Sequence, residues 1–317
     1  MPKTMRAVTQ SEFGGPEVLE LVETERPEPY YGEVLVRVHA AGVNPVDPAG
    51  RERGLYIGKP PFTLGWDVSG VVEAVGTGVT RFRPGDEVYG FPRFPHRAGT
   101  HAEYVTAPSR HLDHKPPSLS HVEAAAIPLT GLTAWQALVE HAGLQRGQTV
   151  LVHAAGGGIG HLAVQIAKSR GARVIGTARA AKHEFVRSLG ADEVIDYSTV
   201  DFTEAVSEVD VVLNTVPGDC AERSVSVIRD GGVLAELHLS NADATFPEAV
   251  ERGISTRFML VEPDLGGMRA LSRLVGDGLL KVHVSQTFPL EEAAAAHRAV
   301  EDGHTTGKIV LTVADDG

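Results

Sequence analysis

Apolar and polar residues alternate with a period of two over much of the first 118 positions. The segment Glu33-Val34-Leu35-Val36-Arg37-Val38 places Val34, Val36 and Val38 on one face of a strand. Val68 to Val75 and Glu87 to Tyr89 predict further short strands, bounded by Gly, Pro and Asp. Asn44-Pro45, Pro60-Pro61 and Pro84-Gly85-Asp86 mark turns, because these residue types pre-set φ or tolerate turn geometry. A compact β-rich domain is expected here.

Near residue 120 the period changes. Ser120-His121-Val122-Glu123 has the spacing of a capping box, in which the serine accepts from one free helical N–H and the glutamate reaches back to another. A helix is expected to start there, to be interrupted by Pro128, and to resume through Trp135 to His141. Beyond it strands alternate with helices: Thr149 to His153 then Gly158 to Ser169, Arg173 to Thr177 then Ala181 to Leu189, followed by strands at Glu193 to Asp196, Val209 to Leu213 and Gly232 to Leu237. That alternation predicts parallel strands joined by helical crossovers and covered on both faces. The last segment predicts a helix, Leu290 to Val300, and a strand, Lys308 to Val313. Periodicity leaves open which domain that strand joins.

The length of 317 residues allows about two domains, each with its own core. A net charge of -12 would repel phosphate backbones and anionic lipid over most of the surface, so neither nucleic acid nor a membrane is an expected partner. No apolar run approaches the roughly 18 to 20 residues of a bilayer span, and MPKTMRAVTQ lacks the apolar stretch of a secretory signal. A cytoplasmic protein is expected. The single cysteine, Cys220, forms no intrachain disulfide and excludes a four-thiolate zinc site; a small, inert thiol is expected there. His111 and His114 flank Asp113 in a loop-like stretch, which reads as a solvated turn, and no metal is expected.

The strongest chemical signal is Val150-Leu151-Val152-His153-Ala154-Ala155-Gly156-Gly157-Gly158-Ile159-Gly160. An apolar strand enters a glycine-rich turn, and the helix-forming run His161 to Lys168 leaves it. Side chains are absent where a pyrophosphate must approach the backbone, and the helix N-terminus offers it free N–H groups and partial positive charge. About 20 residues further on, an acid would accept from a ribose 2′-hydroxyl. Here the stretch reads Gly176-Thr177-Ala178-Arg179-Ala180-Ala181-Lys182, without an acid. Arg179 and Lys182 suit a 2′-phosphate, so NADPH is the expected cofactor.

With Ala41-Gly42-Val43-Asn44-Pro45-Val46-Asp47, Leu64-Gly65-Trp66-Asp67-Val68-Ser69-Gly70, Arg83-Pro84-Gly85-Asp86, Gly131-Leu132-Thr133-Ala134-Trp135, the glycine loop and Leu189-Gly190-Ala191-Asp192-Glu193-Val194-Ile195-Asp196, the sequence resembles the zinc-independent quinone oxidoreductases of the medium-chain dehydrogenase/reductase superfamily. The aspartate of Gly65-Trp66-Asp67 is most similar to the branch containing alkenal/one reductases. The resemblance implies an α/β protein. Residues 1–118 and 284–317 would form a GroES-like, β-rich catalytic domain, and 119–283 a Rossmann domain with a doubly wound parallel sheet that binds NADPH. It also implies a homodimer built by extending the Rossmann sheet through Thr256 to Val261.

By the same resemblance Tyr56 lines the active site and offers its phenol. Asn44 contacts the nicotinamide side, and Asp47 orders the loop. Cofactor contacts map onto Asn44, Pro45, Thr133, Gln136, Gly157, Gly158, Ile159, Gly160, Thr177, Arg179, Lys182, Tyr197, Thr215, His238 and Lys308. Zinc-dependent relatives use a cysteine near Asn44 and a histidine where Trp66 stands, and neither is present. Some members carry a second tyrosine shortly before Tyr56, where this chain has Pro48-Ala49-Gly50-Arg51-Glu52-Arg53, so the pocket is wider or is closed by other side chains. The expected reaction is hydride transfer from NADPH to a quinone or an α,β-unsaturated carbonyl, a small electrophile. A non-catalytic NADPH-binding regulator of the same fold and a zinc alcohol dehydrogenase are the alternatives.

Overall fold

The computed structural model describes residues 3–314; residues 1–2 and 315–317, the outer ends of the expected catalytic domain, lie outside the described residues. The chain opens with β1 (Thr4–Gln10) and β2 (Glu20–Glu25), an antiparallel pair. It continues through β3 (Glu33–Val43), helix α1 (Val46–Arg53), β4 (Phe62–Thr63), β5 (Val68–Val75), β6 (Glu87–Gly90), β7 (Tyr104–Pro108) and β8 (Leu112–His114). β3 organises the sheet. It pairs with β5 along one edge and with β7 along the other, so that Val36 lies opposite both Val72 and Val105. This strand runs past the expected end at Val38, because Ala40-Ala41-Gly42-Val43 replaces the alternation with small residues buried on both faces.

Helix α2 (His121–Ala125) carries the expected capping box: the Ser120 hydroxyl accepts from the Glu123 N–H and the Glu123 carboxylate accepts from the Ser120 N–H. The helical run breaks after Ala125, as expected, and resumes in helix α3 (Pro128–Trp135), with Pro128 as its first residue. A proline has no N–H to donate, and a first helical turn requires none. A π-helical turn, Gln136–His141, follows without a break.

The second half alternates as expected. In order come β9 (Thr149–Val152), α4 (Gly160–Ser169), β10 (Arg173–Thr177), α5 (His183–Ser188), β11 (Glu193–Ile195), α6 (Phe202–Ala205), β12 (Val209–Asn214), α7 (Cys220–Val225), β13 (Ile228–Glu236), α8 (Pro247–Glu251) and β14 (Ser255–Phe258). Helix α4 starts two residues later than expected, because Gly158 and Ile159 still belong to the turn. The six strands are all parallel, in the order β11-β10-β9-β12-β13-β14. This is a doubly wound sheet whose order reverses between β9 and β12, the place where such sheets open a crevice at their carboxyl ends. Leu151, Ile175, Val212 and Leu234 fill its core with Phe202.

The chain then forms α9 (Leu265–Gly276), β15 (Val284–Pro289), α10 (Ala293–Glu301) and β16 (Lys308–Thr312). β16 inserts between β15 and β3, with Ile309 opposite Val43 and Leu311 opposite Ala41. The final strand thus completes the first sheet, in the order β15-β16-β3-β5-β6-β8 with β7 beside β3. Val34, Val36, Val38, Val68, Val88 and Leu311 lie in the core of that sheet.

Two compact units result: one holds the residues up to Leu132, Glu262–Gly276 and those from Val282 onward, the other Thr133–Val261 and Asp277–Lys281. One division between the units falls inside α3. Among the described residues no helix is long and apolar enough to cross a membrane.

Candidate active site

In the first unit, the loop between β3 and α1 is organised by buried polar groups. Asp47, in the first turn of α1, reaches back so that its carboxylate accepts from the Asn44 N–H at 2.8 Å and the Gly65 N–H at 3.1 Å. The Asn44 side chain donates through Nδ2 to Asp67 Oδ2 at 2.8 Å and accepts through Oδ1 from the Lys308 ammonium. Lys308 also donates to the Val43 carbonyl at 3.1 Å and lies 3.9 Å from Asp67 Oδ2. Asp67 Oδ1 accepts from the Leu129 N–H at 2.7 Å, which caps the first turn of α3. Asn44, Asp47, Asp67 and Lys308 are all buried.

Two carboxylates here share one ammonium. Burial pushes Asp47 up to about 7, opposed by the Asn44 N–H and reinforced by the Asp67 charge. Burial also raises Asp67, while Lys308 and Asn44 draw it back, and burial lowers Lys308. The expected cofactor contacts of Asn44 and Lys308 therefore start from side chains already engaged within this unit. Pro45, next to Asn44 in the loop, is exposed. Asp67 was legible only as a mark of the family branch; an acid set among the apolar residues Leu64, Trp66 and Val68 is the signal that it must be buried with partners.

Tyr56 stands at φ 66, a conformation that costs an aromatic residue on the order of 1 kcal/mol or more. The turn Gly54 to Gly58, closed by N–H groups of Ile57 and Gly58 donating to the Gly54 carbonyl, holds it there. Its half-buried ring meets Phe94 edge-on at 5.3 Å; Phe94 in turn stacks on Phe91 at 5.0 Å and meets Trp66 edge-on at 5.4 Å. The Trp66 indole donates to the His96 carbonyl at 2.8 Å. Burial raises the Tyr56 pKa, so the phenol stays protonated and able to donate at neutral pH. Phe91 and Phe94 were missed from the sequence, since nothing local in it distinguishes this wall from ordinary core.

In the second unit, the glycine turn joins β9 to α4. A Cβ at Gly160 would fall 2.3 Å from the Ala154 carbonyl oxygen, so that position must be glycine; at Gly157 it would meet only that same oxygen, at 3.2 Å. Among the described residues, the N–H groups of Gly158 and Ile159 donate to no carbonyl, whereas those of His161, Leu162 and Ala163 in the first turn of α4 donate to the Gly157 and Ile159 carbonyls. The Lys182 stem crosses this turn, with its Cδ 3.0 Å from where a Gly156 Cβ would lie. Arg179, just past β10, is exposed and donates to the Tyr197 hydroxyl at 3.1 Å. Burial and the Arg179 cation lower the Lys182 pKa, so two cations are held together with no acid between them in sequence.

The remaining expected contacts are distributed as follows. Thr177 is buried, and its hydroxyl lies 3.2 Å from His153 Nδ1 and 3.3 Å from the Ala154 N–H. The Thr215 hydroxyl donates to the His153 carbonyl at 3.4 Å. His238 donates its N–H to buried Glu236 and pairs its ring with Ser240. Thr133 and Gln136 are buried where α3 passes into the π-helical turn. His153 and Glu236 were missed.

An anion-binding glycine turn with two adjacent cations fits the phosphates of a dinucleotide. Zinc does not fit. The one cysteine, Cys220, has its thiol pushed up to about 11 by burial, and His111 Nδ1 accepts from the Arg93 N–H. Among the described residues no group of three His, Cys, Asp or Glu side chains is placed to hold a metal ion.

Residues 30–117 match the family described as alcohol dehydrogenase GroES-like domain, and residues 189–311 the family described as zinc-binding dehydrogenase. The chain is 33% identical to the human quinone oxidoreductase, an alignment covering 98% of each. It is 34% identical to a 2-haloacrylate reductase from Burkholderia sp., over 94% of this chain and 96% of that one. A mycobacterial structure solved in complex with NADPH matches with a TM-score of 0.86 and 32% identity, over 98% of this chain and all of that one. Sheet topology, glycine turn and these likenesses define a medium-chain dehydrogenase/reductase. The chain belongs to the quinone oxidoreductase family within that superfamily, and it is an oxidoreductase of the nicotinamide-dependent kind.

Proposed function

We propose that the enzyme is an NADPH-dependent, zinc-independent reductase acting on an electron-poor conjugated acceptor, either a quinone or the β-carbon of an α,β-unsaturated carbonyl. The observation that carries this reading is a protonated phenol, Tyr56, presented at a strained φ beside an aromatic wall, with no group of three metal-ligating side chains among the described residues. When bound, NADPH supplies the hydride. Gly158 and Ile159 N–H groups, with the N-terminus of α4, hold the pyrophosphate, and Arg179 and Lys182 pair with the 2′-phosphate. The Asn44 loop, fixed by Asp47, Asp67 and Lys308, lines the nicotinamide side, and Tyr56 donates to the oxyanion that develops on the acceptor. Relatives named for quinone and for haloacrylate reduction support both acceptor types.

Strand β14, which pairs with β13 on one side only, supplies the sheet edge for the homodimer we propose alongside this activity. The test is a panel of quinones and enones assayed with NADPH and NADH, on the wild type and on Tyr56→Phe. NADPH is expected to bind at least about tenfold more tightly than NADH, or about 1.4 kcal/mol. Tyr56→Phe keeps the ring and the same φ cost, so kcat is expected to fall by on the order of tenfold to several hundredfold at unchanged cofactor affinity. Equal cofactor affinities, or an unaltered hydride-transfer rate in the phenylalanine variant, would sink the corresponding part.

A further inference from the structure

We infer that His153 is a positioning residue for the cofactor: held as one neutral tautomer, it orients the Thr177 hydroxyl so that Thr177 fixes the start of the glycine turn. This rests on the function proposed above.

Proton bookkeeping sets the direction of every bond. The Ser224 hydroxyl sits 2.6 Å from the Cys220 carbonyl, one turn back in α7. A carbonyl only accepts, so the serine proton lies on that contact and Ser224 Oγ presents lone pairs elsewhere. His153 Nε2, 3.0 Å from this oxygen, must therefore carry the proton and donate. Nδ1 is then the bare nitrogen, and at 3.2 Å it accepts from the Thr177 hydroxyl. With its proton committed, Thr177 Oγ1 turns a lone pair to the Ala154 N–H at 3.3 Å.

The end of this chain is where the turn needs support. Ala154 is a non-glycine residue at φ 49, and its conformation aims Ala155 to Gly160 along the approach to α4. Thr177 grips the same segment a second time, its carbonyl accepting from the Ala155 N–H at 3.0 Å. His153, Thr177 and Ser224 are all buried, so no solvent substitutes for a missing partner. The imidazole packs edge-on against Phe202 at 4.7 Å. Burial and the Arg223 charge hold it neutral, with a pKa lowered to about 4.

The experiment has two arms on the full chain. First, 15N spectra of the histidines in cofactor-free protein at neutral pH should show His153 protonated at Nε2 and bare at Nδ1; the opposite tautomer would overturn the hydrogen-bond chain. Second, calorimetric titration with NADPH compares Thr177→Val, Thr177→Ser and His153→Phe with the wild type. The valine and phenylalanine variants should bind about tenfold or more weakly, and the serine variant, which keeps the hydroxyl, should stay within about threefold. A merely structural loss would lower binding with the folded fraction and would not be rescued by serine. Wild-type binding with equally tight binding by the valine and phenylalanine variants would overturn the positioning role alone. A wild type that binds no nicotinamide dinucleotide would sink the proposed function and this role with it, and the spectra would still decide the tautomer.

Discussion

The buried polar groups of the two units hold their loops by different physics. Around Asn44, three ionisable groups, Asp47, Asp67 and Lys308, meet in the interior, and geometry there is set by charge balance as much as by direction. Around His153 the groups are neutral, and each bond depends on where one proton sits. A charged network is vulnerable to deletion of one charge, because the others remain buried and unpaired. A neutral hydrogen-bond chain is vulnerable to the wrong tautomer or a missing hydroxyl, and loses less when cut.

The largest test of that contrast is Lys308→Met. It leaves two carboxylates without their cation, and should lower unfolding free energy by about 3 to 5 kcal/mol in denaturant titration. Adding Asp67→Asn should recover a substantial part, because the amide can still accept from Leu129 without carrying charge. A single variant as stable as the wild type would mean that the ammonium does not balance these acids.

Next in size is a pair of backbone tests on the neutral side. Gly160→Ala drives a methyl against the Ala154 carbonyl, which is backbone and cannot yield cheaply, whereas Gly157→Ala makes a contact only slightly too close. NADPH affinity should fall by about tenfold or more in the first and by less than about threefold in the second. Equal losses would show that the turn deforms as a whole.

The smallest effect is in titration, where the two regions should move in opposite senses. Asp47 rises from 3.8 to about 7 on folding, so between those values the folded chain holds a proton that the unfolded chain has lost. This group therefore favours the folded state increasingly as pH falls through 7. His153 drops from 6.5 to about 4, so within that window the unfolded chain holds the extra proton. Its contribution is full above 6.5 and is lost as pH falls toward 4. Buried His101, also lowered to about 4, acts in the same direction as His153. Carboxyl 13C and imidazole spectra across pH 4 to 8 should find the Asp47 midpoint near 7 and no His153 midpoint above about 5. A His153 midpoint near 6.5 would show that it is not desolvated.

Much of the architecture was legible because its causes are local. The capping box at Ser120 and Glu123 spans three positions, and the strand Val68–Val75 was written in its own alternation. Pro128 marked the break between two helices, but proline punctuates a helix from either side, and only the path of the backbone shows which helix it begins. Thr177, Arg179 and Lys182 were legible as a strand end followed by cations. That the Thr177 hydroxyl would face His153 was not, because the two residues meet only when β10 lies beside β9.

The sequence by itself determined the parallel alternation after residue 148 and the glycine turn with its neighbouring cations. Each follows from contiguous residues, since backbone hydrogen bonding and φ requirements act over a few positions. Only the tertiary structure decided that Lys308 would reach Asn44, 264 positions away, and that Asp67 would cap a helix 62 positions later. A buried charge must find its counter-charge and donors wherever the fold brings them, and that requirement specifies partners by proximity in space without fixing any spacing along the chain.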